Sequence, residues 1–333
     1  MVLVDFLGRF VYQLGSPTMA FLIGGIAIAA LGTRLTIPDA IYKFIVFLLL
    51  MTVGLEGGLA VREADLAAML LPALFAALLG VGIVLIGLVS LLRFPGVRTE
   101  DGIATVGLFG AVSGSTLAAT LSVLREEGIF YEAWAPALYP FMDIPALVVA
   151  IVLANFMISK RDGQRQRSKI LPIVTESLRG SALSAMLLGF TLGLVARTDA
   201  LLAEFYAPLF GGMLSILMLV MGMEAYRRLH ELRAVAHWYA VYAVIAPLVH
   251  GLLGFGLGYI AHITTGFSPG GVVVLAVIAG SSSDISGPPT LRAGIPGANP
   301  SAYLASSTGI GTPVAIAIGI PLYISLAQAV FPM

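Results

Sequence analysis

Ten stretches of 16 to 30 residues contain almost nothing but apolar side chains, and this feature limits the chain more than any other. They run approximately over 17–32, 40–55, 66–92, 102–124, 137–158, 181–196, 207–224, 235–262, 270–292 and 302–331. A run of about 20 apolar residues spans the hydrocarbon of a bilayer as a helix. In lipid the backbone must satisfy its own hydrogen bonds, so helices are the expected form. Only 11% of the 333 residues are charged, against roughly 25% in an ordinary soluble domain. The expected fold is therefore an all-α polytopic membrane protein with ten transmembrane helices. No cysteine is present, which removes disulfides, thiolate catalysis and Cys-ligated metals. Net charge is zero, and no nucleic-acid partner is expected. No Gly-x-x-x-x-Gly-Lys-Ser/Thr phosphate loop occurs, and no Ser–His–Asp set can be assembled, so an enzyme is not expected. Met1–Leu14 lacks the pattern of a secretory signal peptide.

Charge asymmetry sets the expected orientation. Fourteen of the 18 basic residues fall in the loops between spans 1–2, 3–4, 5–6, 7–8 and 9–10 or at their edges, whereas Arg9, Arg62, Arg125 and Arg197 fall on the other side. Cytoplasmic loops carry the excess of Lys and Arg. Both termini are therefore expected outside the cytoplasm, in the plasma (inner) membrane. The basic loop 159–180 reads as a solvated cytoplasmic linker, or as a docking or lipid-headgroup site.

The chain also repeats itself. Gly54-Leu55-Glu56 returns as Gly222-Met223-Glu224, and Leu78-Leu79-Gly80-Val81-Gly82 as Leu252-Leu253-Gly254-Phe255-Gly256. Ser113-Gly114-Ser115 matches Ser282-Ser283-Asp284, and Asp143-Ile144-Pro145 matches Gly311-Thr312-Pro313. The matches follow one register, dividing the chain into a first repeat (1–158), the basic loop (159–180) and a second repeat (181–333). Five spans per repeat place the two halves in opposite orientations. Secondary transporters are built on such inverted repeats, with broken helices meeting at the midplane.

Spans 4 and 9 occupy matching positions, and small polar residues interrupt both. The first reads Gly110-Ala111-Val112-Ser113-Gly114-Ser115-Thr116; the second reads Gly280-Ser281-Ser282-Ser283-Asp284-Ile285-Ser286-Gly287-Pro288-Pro289. Ser and Asp favour helix N-caps, and Pro suits a first turn. Two half-helix N-termini are thus expected to face each other, offering free N–H groups and positive dipole ends to a small oxyanion. The anion-binding candidates are Ser113, Gly114, Ser115, Thr116, Ser283, Ser286 and Gly287. Asp284 adds an intramembrane carboxylate, a functional candidate by default, and Ser281, Ser282 and Asp143 could join it around Na⁺. Small polar residues can equally serve close helix packing. Glu56 and Glu224 read as surface residues at the ends of paired spans, and His250 as a core or interfacial histidine.

These same blocks, together with Ser16-Pro17-Thr18, Tyr131-Glu132-Ala133-Trp134, Ala137–Leu147 and Leu217–Ala225, resemble the cyanobacterial sodium-dependent bicarbonate transporter family along nearly the whole chain. The resemblance implies Na⁺-coupled bicarbonate symport supplying inorganic carbon, with Na⁺ as co-transported ion and no organic cofactor. It also implies a homotrimer and a gate domain of spans 1, 2, 6 and 7. Spans 3–5 and 8–10 would form a core that moves like an elevator, and a cytoplasmic PII-like trimer would regulate it. The middle loop is short for that family. A Na⁺/H⁺ antiporter or another Na⁺-coupled small-anion symporter on a crossed-helix scaffold is the alternative.

Overall fold

The computed structural model describes residues 15, 17–62, 66–162, 175, 179, 181–232 and 237–331. The basic cluster at 163–169, Arg233 and the Met1–Leu14 segment lie outside the described residues. Every regular element among the described residues is helical. In chain order these are α1 (Pro17–Ala30), α2 (Asp39–Val61), α3 (Leu66–Ser90), α4 (Thr99–Gly110), α5 (Gly114–Glu126) and α6 (Tyr139–Asp162). They continue with α7 (Ser181–Val195), α8 (Ala207–Leu232), α9 (Trp238–Thr265), α10 (Pro269–Ala279), α11 (Gly287–Gly294), α12 (Pro300–Ser306) and α13 (Ile320–Val330).

Seven segments are long and apolar enough to cross a bilayer, and one of them joins α4 and α5 across their interruption. The protein is a multi-pass membrane protein. Among the described residues, three of the ten apolar runs form helices short of that length: α1, α7 and α10 have 14, 15 and 11 residues. At 1.5 Å per residue, even the longest of these reaches only about 22 Å, against about 30 Å of hydrocarbon. For α10 the cause is the break that follows it.

Two helix pairs are packed backbone to backbone. Gly54 and Gly58 of α2 face Gly189 and Gly193 of α7, and a Cβ on any of the four would strike a main-chain carbonyl of the opposite helix. Gly25 of α1 and Gly222 of α8 do the same for the second pair. Lipid tails offer no hydrophobic gain for such contacts, so close approach through small residues supplies the attraction. The α2 helix also packs on α8, which joins the pairs into one group. A second group forms from α3, α4 and α6 with α9 and α10. Within it, α4 and α10 are buried on every face; α10 is apolar all round, as expected of such a helix, whereas α4 also buries Glu100, Asp101 and Thr105. The exposed apolar residues of this group include Leu70, Leu74, Leu78, Val241, Ile245 and Val249.

Carboxylates from the first half of the chain and helix starts from the second hold the interrupted segments in place. Glu132, in the loop before α6, accepts hydrogen bonds from the Ser268 N–H (2.7 Å) and hydroxyl (2.8 Å) at the start of α10. Asp101, at the start of α4, accepts from the Asn299 N–H (2.7 Å) at the start of α12. Each carboxylate thereby satisfies helix-start donors that hydrocarbon could not.

Orientation is open to direct test, because a chain without cysteine gives a clean labelling background. Leu31, in the turn after α1, is 86% exposed, and Phe130, after α5, is 75% exposed. In Leu31→Cys, reaction is expected only with reagents that reach the cytoplasm; in Phe130→Cys, only from outside. Labelling of both from one side would overturn the odd number of spans between them, and with it the ten-span topology.

Candidate functional site

The two broken helices interlock through the hydrogen bonds that their own backbones give up. Helix α4 ends at Gly110, and Ala111 turns to extended backbone. In a continuous helix the Val112 N–H would bond to the Leu108 carbonyl. Here Val112 N–H donates to Asp143 Oδ1 of α6 (2.9 Å), while the Leu108 carbonyl accepts from Ser283 N–H of the other break (2.8 Å). Ser113 N–H donates to Ser281 Oγ (3.0 Å), whose own proton goes to the Ile278 carbonyl (2.8 Å). Every one of these is a buried polar group matched by a partner from another element, which is what makes an unwound backbone tolerable at membrane depth.

Each new helix start is capped. Ser113 is the N-cap of α5, and its hydroxyl accepts from Thr116 N–H (3.1 Å) and Thr116 Oγ1 (2.9 Å). Ser283 Oγ accepts from Gly287 N–H (2.8 Å) at the start of α11. Ser286 Oγ donates toward Asp143 Oδ2 (3.3 Å) and lies 3.1 Å from the Tyr139 hydroxyl and from Ser283 Oγ. Asp143 thus binds both breaks at once, one through backbone and one through a hydroxyl. Ser282 sits on the far side, where Ser307 Oγ donates to it (3.0 Å) and Thr312 Oγ1 lies 3.5 Å away. Ser307 opens a π-helical segment, Ser307–Gly311. Such single-turn bulges frequently mark functional positions.

The predicted residues therefore come together, but they do not share one environment. Ser113, Gly114, Ser115, Thr116, Ser281, Ser282, Ser283, Ser286 and Gly287 are all buried, as is Asp143. Asp284 is half-buried and faces a cavity of about 260 Å³. Tyr42 and Lys43 of α2, Glu224 and Arg228 of α8, and Leu304 and Thr308 line that cavity with it. The Ser115 hydroxyl donates to Asp284 Oδ2, and Ser115 lies 3.0 Å from Ser113 Oγ. Asp284 Oδ1 is buried without a hydrogen-bond partner. A carboxylate oxygen left unmatched at this depth is costly unless a cation or proton takes it. No group of three or more His, Cys, Asp and Glu side chains that could hold a metal occurs among the described residues. One carboxylate with surrounding hydroxyls and carbonyls is a hard-oxygen set suited to a monovalent cation.

Four features were not apparent from sequence. Tyr42 and Thr308 reach the cavity from distant spans. Ser307 reaches the second break through a π turn, which has no composition signature. Glu56 and Glu224 are not free surface carboxylates: they pair with Arg125 and Arg228, the latter at 2.6 Å. His250 is buried beside Tyr242, in agreement with a core position.

Compared with known protein families, residues 17–328 match the profile of the Na⁺-dependent bicarbonate transporter superfamily. The match includes both breaks, Asp143 and the whole cavity lining. No curated protein matches the chain.

Proposed function

Because this chain belongs to the Na⁺-dependent bicarbonate transporter superfamily, we propose that it moves bicarbonate across the inner membrane by symport with Na⁺, supplying the cell with inorganic carbon. The observation that carries this reading is Asp284, which lines the cavity; one of its oxygens is held by Ser115 at the first break, and the other is buried with no hydrogen bond to match it. Na⁺ binds Asp284, with Ser281, Ser282 and Asp143 as the further candidate oxygen ligands. Bicarbonate binds where the starts of α5 and α11 converge, at Ser113–Thr116 and Ser283–Gly287. The bound cation offsets the repulsion between Asp284 and the anion, so the two bind with positive coupling, and each raises the other's affinity by the same factor.

The α1, α2, α7 and α8 group acts as the gate, and the group holding both breaks acts as the moving core. The cavity between them leads from the site toward the starts of α2 and the end of α8, the face that the charge asymmetry assigns to the cytoplasm. The family likeness extends the reading to a homotrimer and to control by a PII-like trimer on that face. An antiporter would favour two free carboxylates at the crossing; Asp284 is one, whereas Asp143, the second, is occupied by Val112 N–H and Ser286.

Uptake of labelled bicarbonate into proteoliposomes tests the reading. Accumulation is expected only with an inward Na⁺ gradient, and without acidification or alkalinisation coupled to Na⁺ alone. One Na⁺ per bicarbonate moves no net charge, so about 1.4 kcal/mol of driving force is expected per tenfold gradient, independent of voltage. A current accompanying uptake would establish a second Na⁺, worth about 2.3 kcal/mol more per 100 mV. Uptake that ignores Na⁺ would overturn the symport.

A further inference from the structure

On the face opposite the cavity, a charged contact joins α5 to the glycine-packed group. Arg125, in the last turn of α5, pairs with Glu56 of α2 and donates to the Tyr131 hydroxyl (3.0 Å). Its guanidinium also lies over the Phe210 ring of α8, 5.1 Å from the centroid. Arg125 belongs to the half-helix that carries Ser113–Thr116, whereas Glu56 and Phe210 belong to the glycine-packed group. The contact therefore closes one side of the boundary along which the site would have to open.

The second repeat carries the same three residue types at corresponding places. Glu224 occupies the register of Glu56, within the matching Gly-x-Glu triplets. Arg292 lies in the last turn of α11, as Arg125 lies in that of α5. Tyr303 follows α11 as Tyr131 follows α5, and its hydroxyl takes a hydrogen bond from Arg292. On this side, however, Glu224 pairs with Arg228 of its own helix and lines the open cavity.

We infer that Glu56–Arg125 and Glu224–Arg292 are paired latches used in alternation: the first is closed in this conformation, and the second forms when the first breaks, sealing the cavity. Arg228 holds Glu224 in the interval, so the carboxylate never lacks a cation. The inference rests on the alternating-access reading above and adds to it the two contacts that exchange. Charged pairs suit the task, because each can be replaced by another pair of equal chemistry, whereas a dry apolar seam would only be lost.

The test reads conformation directly. Leu304→Cys, which lines the cavity, is labelled from the cytoplasmic face of full-length protein in liposomes, without bicarbonate. Glu56→Gln and Arg125→Ala are expected to slow that labelling, by about twofold or more as the population shifts to the sealed form. Glu56→Arg combined with Arg125→Glu is expected to restore the parental rate. Glu224→Gln and Arg292→Gln are expected to label at least as fast as the parent, because they weaken the sealed form. Should the two sets of variants shift labelling in the same direction, or should neither shift it, the latches are overturned. A protein that shows opposite shifts yet takes up no bicarbonate keeps the latches and loses only the substrate.

Discussion

In Asp284→Asn, Na⁺-driven accumulation is expected to be lost while the protein remains folded. The amide keeps the size of the side chain and a carbonyl oxygen for the Ser115 hydroxyl, so the contact between the breaks survives. The change removes the charge from an oxygen that has no partner inside the protein. That oxygen supplies no hydrogen bond to folding, so removing its charge relieves a burial cost larger than the one left by the neutral amide N–H₂ in its place. For the ion the opposite holds. Loss of the one carboxylate at the open end of the site is expected to raise the Na⁺ concentration for half-maximal uptake by at least about tenfold, equivalent to about 1.4 kcal/mol. Because the ions are linked, bicarbonate affinity at fixed Na⁺ falls with it. Uptake against Na⁺ at fixed bicarbonate, with thermal unfolding of the purified variant as control, makes the measurement. A parental Na⁺ dependence would remove Asp284 from the cation site.

The second large effect is steric and concerns neighbouring residues. In Gly25→Leu, folding is expected to fail; in Gly24→Leu it is not. A Cβ on Gly25 would overlap the Leu219 carbonyl and lie 3.0 Å from Met223 N, both main-chain atoms of α8 that cannot rotate away. A Cβ on Gly24 meets nothing within 4 Å. Forcing α1 from α8 exceeds the ordinary overpacking cost of about 1–3 kcal/mol, which applies where side chains can adjust. Monodisperse yield in detergent and the unfolding temperature compare the two. Equal behaviour would mean that the glycine contact does not hold this pair together.

The contrast between these glycines shows where sequence reading runs out. The apolar runs, the interruptions at Ser113 and Ser281–Ser286, and the isolated Asp284 are local facts of composition, and the structure has helices and helix breaks where they fall. Which glycine of Gly24-Gly25 faces a neighbour depends on the crossing of two helices about 200 residues apart in the chain, and no local pattern encodes it. The same applies to Arg125, whose partner Glu56 lies 69 positions away, and to Tyr42 and Thr308. Asp143 was recognisable as a buried carboxylate beside Pro145, but its partners were not: a loosened N–H at Val112 appears only once span 4 is broken. The π turn at Ser307–Gly311 has no composition signature, and the acceptors that Ser307 reaches, Ser282 Oγ and the Ser283 carbonyl, lie about 25 positions away.

The glycine-packed pairs also carry an entropic consequence. Ordering a buried Leu or Met surrenders side-chain rotamer freedom, whereas glycine has none to surrender. Where α2 meets α7 and α1 meets α8, much of the contact is main chain against main chain. Such a seam has few alternative rotamers into which it could repack, so it has little means of adopting a second arrangement of similar energy. The long, jointed side chains lie elsewhere, on the boundary formed by Arg125, Glu56, Tyr42, Lys43, Arg228 and Glu224. Conformational multiplicity is therefore concentrated at that boundary, and the glycine seams behave as the fixed frame against which it is expressed.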